Sequence, residues 1–111
     1  MNDCLFCRIA KKEIPSAIVH EAPDWLAFRD IHPQAPTHVL VIPRKHVPTV
    51  NELGAADAGM LVEAAKTVAR QEGLADRGYR LVFNCNAEAG QTVFHVHVHV
   101  LGGRGMKWPP G

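Results

Sequence analysis

The stretch Phe94–His95–Val96–His97–Val98–His99–Val100–Leu101, near the carboxyl end of the chain, decides the fold. Strict alternation of apolar and polar residues is typical of a β-strand, in which side chains at i and i+2 share a face about 6.6 Å apart. The valines therefore face a core, and His95, His97 and His99 share the other face. We predict a strand over Val93–Leu101 that carries three imidazoles in a row.

Three imidazoles on one face favour phosphate chemistry. Neighbouring rings could contact different oxygens of one phosphate, or one ring could attack phosphorus while another handles a proton. Two structural alternatives are a solvated face of an edge strand and an incidental metal site, because histidine is the commonest metal ligand. Threonine or lysine would serve a solvated face better, so the pattern favours a functional site over both alternatives.

The rest of the chain supplies further strands and two helices. Apolar and β-branched runs bounded by turn residues predict strands, and apolar residues at helical spacing predict one clear helix. Pro15 ends a short first helix, and Gly73 ends the second. These elements favour an α+β fold with a five-stranded antiparallel sheet. The predicted helices are Leu5–Ile14 and Ala56–Gly73, and the other predicted strands are Ala17–Glu21, Trp25–Arg29, His38–Ile42 and Tyr79–Asn84.

Length and composition exclude several classes of protein. The chain has 111 residues, of which 47% are hydrophobic and 21% charged, and this profile indicates one globular domain, 1–111, rather than disorder or a coiled coil. Its net charge of +1 argues against a general nucleic-acid or membrane-surface protein. Its apolar runs are too short to span a bilayer, and no secretory signal is visible, so we expect a cytoplasmic protein.

Cys4–x–x–Cys7 is a second motif whose side chains are suited to metal or redox chemistry. Two thiolates at this spacing can share a tetrahedral Zn²⁺ that needs two more ligands. The motif is also compatible with two small residues on a helix. A redox pair is less favoured, because no thioredoxin-like βαβ pattern surrounds the motif. Cys85 is most simply a small residue beside the loop that follows the fourth strand.

The motif His95–x–His97–x–His99, with a hydrophobic residue after each histidine, resembles that of the histidine triad (HIT) superfamily. The rest of the chain is similar to the Hint branch of that superfamily over nearly its whole length. The matching segments are Glu13–Ile14–Pro15, Phe28–Arg29–Asp30–Ile31, Pro33–Gln34–Ala35–Pro36–Thr37–His38, Val41–Ile42–Pro43–Arg44–Lys45–His46, Gly78–Tyr79–Arg80, Asn84, Gly90–Gln91–Thr92, Gly102–Gly103–Arg104 and Trp108–Pro109–Pro110–Gly111.

The resemblance implies a HIT-like fold and a purine nucleoside phosphoramidase. Such an enzyme hydrolyses nucleoside 5′-phosphoramidates and acyl-adenylates to AMP or GMP, and needs no cofactor for catalysis. It is a homodimer in which the five-stranded sheets of the two subunits join into a single ten-stranded sheet. By this resemblance His97 is the nucleophile that becomes a nucleotidyl-histidine, and His99 contacts the phosphate. His46 and His95 flank the site and take part in proton handling.

The resemblance also implies the nucleotide contacts. Asp30 matches the residue that accepts the ribose hydroxyls, and Asn84 lies on the ribose or phosphate side. Simpler explanations are a turn cap for Asp30, a positive φ for Gly90 and plain core for the apolar residues. Threonine at position 92, where the family often has serine, keeps the hydroxyl but restricts its rotamer. The walls around the purine match Phe6, Phe28 and Ile31, and the hydrogen-bond donors to the phosphate match Gly90, Gln91 and Thr92.

Two further features follow from the resemblance. Zinc-containing members of the superfamily complete a cysteine pair with two histidines, and the matching set here is Cys4, Cys7, His46 and His95. If zinc binds, those two histidines cannot also relay protons. The tail, residues 104–111, matches a segment that reaches the partner subunit's site, where Trp108 could pack on the leaving group.

Two other functions remain open from the sequence. One is a dinucleoside polyphosphate hydrolase, against which the tail and Gly90–Gln91–Thr92 argue. The other is a non-catalytic adaptor that binds nucleotide or zinc. Such an adaptor would have no use for a nucleophile aimed at phosphorus.

Overall fold

A computed structural model describes residues 3–111 of the chain. The fold is α+β, as predicted, with two α-helices and five strands in this range. Two single-turn 3₁₀ helices, Val50–Glu52 and Ala87–Ala89, lie in the connections. The main elements are α1 Leu5–Ala10, β1 Ile18–Glu21, β2 Trp25–Arg29, β3 Thr37–Pro43, α2 Ala55–Gln71, β4 Tyr79–Phe83 and β5 Val98–Gly102.

The five strands form one antiparallel sheet in the order β1-β2-β3-β5-β4. Strand β5, the last in sequence, is inserted between β3 and β4. In its register His99 lies opposite Leu40 of β3 and Val82 of β4. His99 is therefore held from both sides in an interior strand of the sheet.

Each face of the sheet buries a separate apolar cluster. Helix α2 covers one face with a stripe of small and aliphatic residues, packed against the valines of β5 and β3. Val96, Val98 and Val100 all belong to this cluster, which confirms the predicted direction of the valines. Helix α1 covers part of the other face, where Phe6 and Ile9 pack on side chains of β2 and β3. His97 and His99 face this second, partly open side.

Two element boundaries differ from the sequence prediction by more than two residues. Helix α1 ends at Ala10 rather than Ile14, because Lys12 adopts a left-handed φ of 61° and stops the helix before Pro15 is reached. Strand β5 begins at Val98 rather than Val93. Both neighbours end their pairing at Val98, and continuing the register would place Pro43, which has no N–H group, opposite Val96.

The segment before β5 therefore leaves the sheet. The Val96 N–H group donates instead to the carbonyl of Val47, at 2.7 Å. His95 is consequently turned away from the environment of His97 and His99. Within residues 3–111, no helix is both long and apolar enough to cross a membrane.

Candidate active site

A cavity of about 320 Å³ opens on the α1 face of the sheet. This volume is at the lower end of the range typical of small-molecule sites. His97 and His99 form its floor, and Asp30 and Asn84 stand at its sides. The other predicted site residues that line it are Phe6, Phe28, Ile31, Gly90, Gln91 and Thr92.

His97 is buried in the floor of this cavity. Its Nδ1 atom lies 2.8 Å from the carbonyl oxygen of His95. Because a carbonyl oxygen only accepts hydrogen bonds, Nδ1 carries the proton and Nε2 keeps its lone pair. Burial lowers the pKa of His97, against opposing effects of that hydrogen bond and of the Asp30 charge. The ring is therefore neutral near pH 7, with one nitrogen able to act as a nucleophile.

His99 is oriented by His38, to which the sequence analysis assigned no role in the site. The backbone N–H of Gln34 donates to Nδ1 of His38 at 3.0 Å, so the proton of neutral His38 is on Nε2. That Nε2 lies 2.8 Å from Nδ1 of His99 and donates to it. The proton of neutral His99 must then be on its Nε2, which is a hydrogen-bond donor at the cavity.

Asp30 and Asn84 complete the polar surroundings of these rings. Asp30 accepts the backbone N–H of His32 at 2.8 Å, as expected for a turn cap, and its second oxygen is 3.4 Å from Nε2 of His38. The side-chain amide of Asn84 is 3.5 Å from Nε2 of His99. Since this Nε2 carries a proton, the Asn84 amide is best oriented with its oxygen toward it.

Burial keeps this group of rings uncharged. It lowers the pKa of His99 to about 4. Repulsion from the protonated forms of His97 and His38 lowers this pKa further, and the carboxylate of Asp30 opposes the shift. Burial also lowers the pKa of His38, against the charge of Asp30. The sequence offered two signals for His38: it is a polar residue at the start of an otherwise apolar strand, and it ends a segment that resembles the family.

The side chain of Gln91 has backbone partners in this structure, whereas the sequence analysis predicted that it donates to the phosphate. Its Nε2 group donates to the carbonyls of Pro48 and Val93 at 2.9 and 3.1 Å, and its Oε1 accepts from the N–H of Asn86 at 2.9 Å. Both side-chain N–H groups are therefore occupied, and its backbone N–H donates to Asn86 as well. Gln91 shapes the loop, while Gly90 supplies the positive φ of 79° that ends the preceding turn.

The apolar wall of the cavity is formed by Phe6, Phe28 and Ile31. The two phenylalanine rings pack edge to face with centroids 5.3 Å apart, and Phe6 meets the His97 ring in the same manner at 5.1 Å. Ile31 lies at the mouth with 86% of its surface exposed. A large exposed apolar side chain at a cavity rim is suited to cover a planar ligand.

Cys4, Cys7, His46 and His95 form a separate cluster behind this wall. All four ligand atoms lie within 4.8 Å of one another. The distance from Cys4 Sγ to His95 Nδ1 is 3.4 Å, that from Cys7 Sγ to His46 Nδ1 is 3.3 Å, and the two Nδ1 atoms are 3.3 Å apart. Tetrahedral zinc at ordinary bond lengths places its S and N ligands roughly 3.3–3.8 Å from one another.

The hydrogen bonding of His95 also fits a metal ligand. Its Nε2 donates to the carbonyl of Pro43 at 2.8 Å, which leaves a lone pair on Nδ1 directed at the thiols. A backbone carbonyl on the far nitrogen is the usual outer partner of a metal-bound histidine. His46 and His95 do not line the cavity. Their position favours a metal-ligand role over the predicted proton handling.

Trp108 is the remaining predicted residue, and it lies outside the cavity of its own chain with 81% of its surface exposed. The tail is attached to β4 through the guanidinium of Arg80, which donates to the carbonyl of Lys107 at 3.0 Å. Its predicted contact with a partner subunit stays a prediction.

Comparison with known proteins agrees with this geometry. A protein-family model described as the HIT domain matches residues 11–106. The purine nucleoside phosphoramidase of Escherichia coli (strain K12) is 48% identical over 106 residues, which cover 93% of this chain and 89% of that protein. A 14 kDa zinc-binding protein of Zea mays is 51% identical over 112 residues, which cover 96% of this chain and 87% of that protein.

Solved structures show the same relationship. A HIT family hydrolase from Legionella pneumophila superposes with a TM-score of 0.92 at 54% identity, covering 98% of this chain and all of that one. A histidine triad nucleotide-binding protein from Candida albicans superposes with a TM-score of 0.85 at 31% identity, covering 96% of this chain and 83% of that one. Because the family model and these relatives span most of the sequence, the chain belongs to the HIT family.

Proposed function

We propose that this protein is a hydrolase that cleaves purine nucleoside 5′-phosphoramidates, and acyl-adenylates, to AMP or GMP through a nucleotidyl-His97 intermediate. The observation that carries the proposal is the state of His97: Nδ1 is committed to the His95 carbonyl, and Nε2 keeps its lone pair beside the cavity. The E. coli relative named as a purine nucleoside phosphoramidase supports the substrate class.

The reaction proceeds in two displacements at the α-phosphorus. His97 Nε2 attacks phosphorus, the P–N bond of the substrate breaks, and the leaving nitrogen takes a proton from solvent and departs as an amine. Water then attacks the phosphorus, the bond between phosphorus and His97 breaks, and the nucleoside monophosphate leaves. Dividing one difficult displacement in two is the advantage of covalent catalysis.

His99 and His38 support both displacements. The Nε2–H group of His99 donates to a phosphoryl oxygen, whose negative charge grows as the nucleophile approaches. The hydrogen bond from His38 to His99 holds this donor in place. Because both rings are neutral and carry one proton each, the proton for the leaving nitrogen comes from solvent.

The nucleotide is held by the side and wall of the cavity. Asp30 accepts the ribose hydroxyls, Asn84 lies on the ribose or phosphate side, and Phe6, Phe28 and Ile31 enclose the purine. Thr92 and the backbone near Gly90 donate to the phosphate, while Gln91 keeps their loop in shape.

A structural zinc ion and a second subunit belong to the proposal. Cys4, Cys7, His46 and His95 would hold the zinc, which supplies a crosslink within the fold and no catalytic step. The Zea mays relative named as zinc-binding supports this set. In a homodimer, residues 104–111 of each chain reach the partner's cavity. The cytoplasmic location stays a prediction.

The decisive test measures AMP release from adenosine 5′-phosphoramidate by the wild type and by His97→Ala. His20→Ala is the matched control, because His20 stacks on Trp25 away from the cavity. We expect turnover by the wild type and by the control, and none by His97→Ala although it still binds AMP. Mass spectrometry of the quenched wild type should detect the nucleotidyl adduct.

Wild-type protein that binds AMP but does not release it from the amide would contradict this proposal. Hydrolysis of a dinucleoside polyphosphate in its place would assign the other enzyme class, and no hydrolysis of either would favour the adaptor.

A further inference from the structure

Helix α1 has only six residues, Leu5–Ala10, yet it carries part of the cavity wall. A helix this short has no stability of its own in water, so its position depends on tertiary contacts. Its carboxyl end is held by Ile9 in the apolar cluster and by Arg44, whose guanidinium donates to the Ala10 carbonyl at 3.1 Å. Its amino end depends on Phe6 and on the two cysteines.

Cys4 and Cys7 flank Phe6 on either side. Cys4 is the residue that begins the helix, and its Sγ accepts the N–H of Cys7 at 3.4 Å. Phe6 itself is 5% exposed and packs edge to face on the His97 ring at a centroid distance of 5.1 Å. Any shift of the two sulfur atoms therefore moves the ring that lies against the proposed nucleophile.

The other half of the Cys/His cluster is fixed to the sheet. His95 is fully buried, and its Nε2 atom is held by the carbonyl of Pro43, the last residue of β3. His46 follows that strand by three residues and approaches Cys7 Sγ at 3.3 Å. A metal ion bound by all four side chains would join the amino end of α1 to the sheet.

We propose that Cys4 and Cys7 are positioning residues for nucleotide binding: with a metal ion shared by His46 and His95, they hold α1 so that Phe6 closes the cavity wall against His97. Metal occupancy then sets the affinity for the nucleotide. This inference rests on the proposed function for the identity of the ligand, and it adds that the metal site acts on the cavity through Phe6.

The test uses the affinity for AMP, measured by calorimetry, so that no turnover is needed. Zinc-loaded wild-type protein should bind AMP roughly tenfold more tightly than protein stripped with a chelator, the size expected for losing one well-packed aromatic contact. Cys4→Ser/Cys7→Ser should bind like the stripped protein and should not respond to zinc. Cys85→Ser, which alters a thiol outside the cluster, should follow the wild type.

A thermodynamic cycle that combines the Phe6→Leu substitution with zinc removal tests whether the metal acts on the cavity through Phe6. In Phe6→Leu, AMP binding should be weaker, and zinc should change it by less than about twofold, because the metal no longer has the ring to position. In steady-state kinetics over a range of phosphoramidate concentrations, chelation should raise KM and leave kcat within about twofold. The reason is that the cavity wall binds substrate and transition state equally well.

The outcomes separate the two proposals. Equal AMP affinity with and without zinc, or a full zinc response in Phe6→Leu, would overturn the inference alone. If chelation unfolds the protein, as seen by circular dichroism, the metal supports the whole fold and not Phe6 in particular. That outcome would also overturn the inference. Failure of the zinc-loaded wild type to bind any purine nucleotide would overturn the proposed function, and the inference with it.

Discussion

The Nε2 atom of His38 in β3 lies 2.8 Å from the Nδ1 atom of His99 in β5, although the two residues are 61 positions apart in sequence. The backbone N–H of Gln34 fixes the proton of His38 on that Nε2 atom. His99 is thereby left with its own proton on Nε2, at the cavity. One backbone donor thus determines which nitrogen of a second histidine can contact a bound phosphate.

His38→Phe removes the hydrogen bond that orients His99 while keeping a ring of similar size. We expect kcat for adenosine 5′-phosphoramidate to fall roughly 100-fold, the lower end of the range for loss of one oriented hydrogen-bond donor to the transition state, with AMP affinity changed by less than about threefold. Steady-state kinetics and calorimetry check this, with His20→Phe as the control. A kcat within twofold of the wild type would show that His99 needs no partner.

Asp30→Asn keeps the oxygen that accepts the His32 N–H group and removes only the charge. A hydrogen bond to a charged group contributes about 1.5–3 kcal/mol, so AMP affinity should fall at least tenfold. The dideoxy analogue of AMP, which lacks both ribose hydroxyls, should bind wild type and variant equally. A similar loss for the analogue would place the role of Asp30 elsewhere than the ribose.

The stability of the protein should fall as pH falls from about 6.5 toward 4. The folded-state pKa of His99 is about 4, below the ordinary 6.5, so between these values the unfolded chain binds a proton that the folded protein excludes. Stability is complete above pH 6.5 and is lost as pH approaches 4; the lowered pKa of His38 acts in the same direction.

Thermal melts across this window, at constant ionic strength and with chelator present, measure the effect. His99→Asn, which cannot titrate, should show a flatter dependence of Tm on pH than the wild type. Two parallel curves would show that His99 is not excluded from protonation in the folded protein.

Gln91→Ala should destabilise the loop beside the cavity. The substitution leaves the partly buried hydrogen-bonding groups of Pro48, Val93 and Asn86 without their side-chain partner, at a total cost of about 1–3 kcal/mol. Chemical denaturation measures the change in the free energy of unfolding. Thr92→Ser, at the exposed neighbouring position, should leave it unaltered and retain activity with a shifted preference among leaving groups.

Deleting Met106–Gly111 should leave the fold intact and change the order of preference among leaving groups, since residues 104–111 are proposed to reach the partner's cavity. Kinetics with several amines and acyl groups as leaving groups, and size measurement in solution, check both parts. Unaltered kinetics across that series, or a monomeric wild type, would show that residues 104–111 do not contribute to the site of a partner subunit.

The sequence was sufficient for the element types and for the direction of the valines. Alternation with a period of two is a local property of the chain, and Val96, Val98 and Val100 enter the core as it predicts. Most of the proposed nucleotide-site residues come from the resemblance to a known family, and they line one cavity, from Phe6 near one end of the chain to Thr92 near the other.

The tertiary structure decided how the three histidines are divided. The period of two assigned them to one face of one strand, but β3 and β4 both stop pairing at Val98, so only His99 lies in β5. His97 and His99 then line the cavity, while His95 joins the cysteines of α1. The contact from His38 to His99 and the full hydrogen bonding of Gln91 likewise depend on residues far apart in sequence. Side-chain direction follows from local backbone geometry, which a sequence pattern reports. The identity of a hydrogen-bond partner follows from which strands meet, and that is settled only when the whole sheet is assembled.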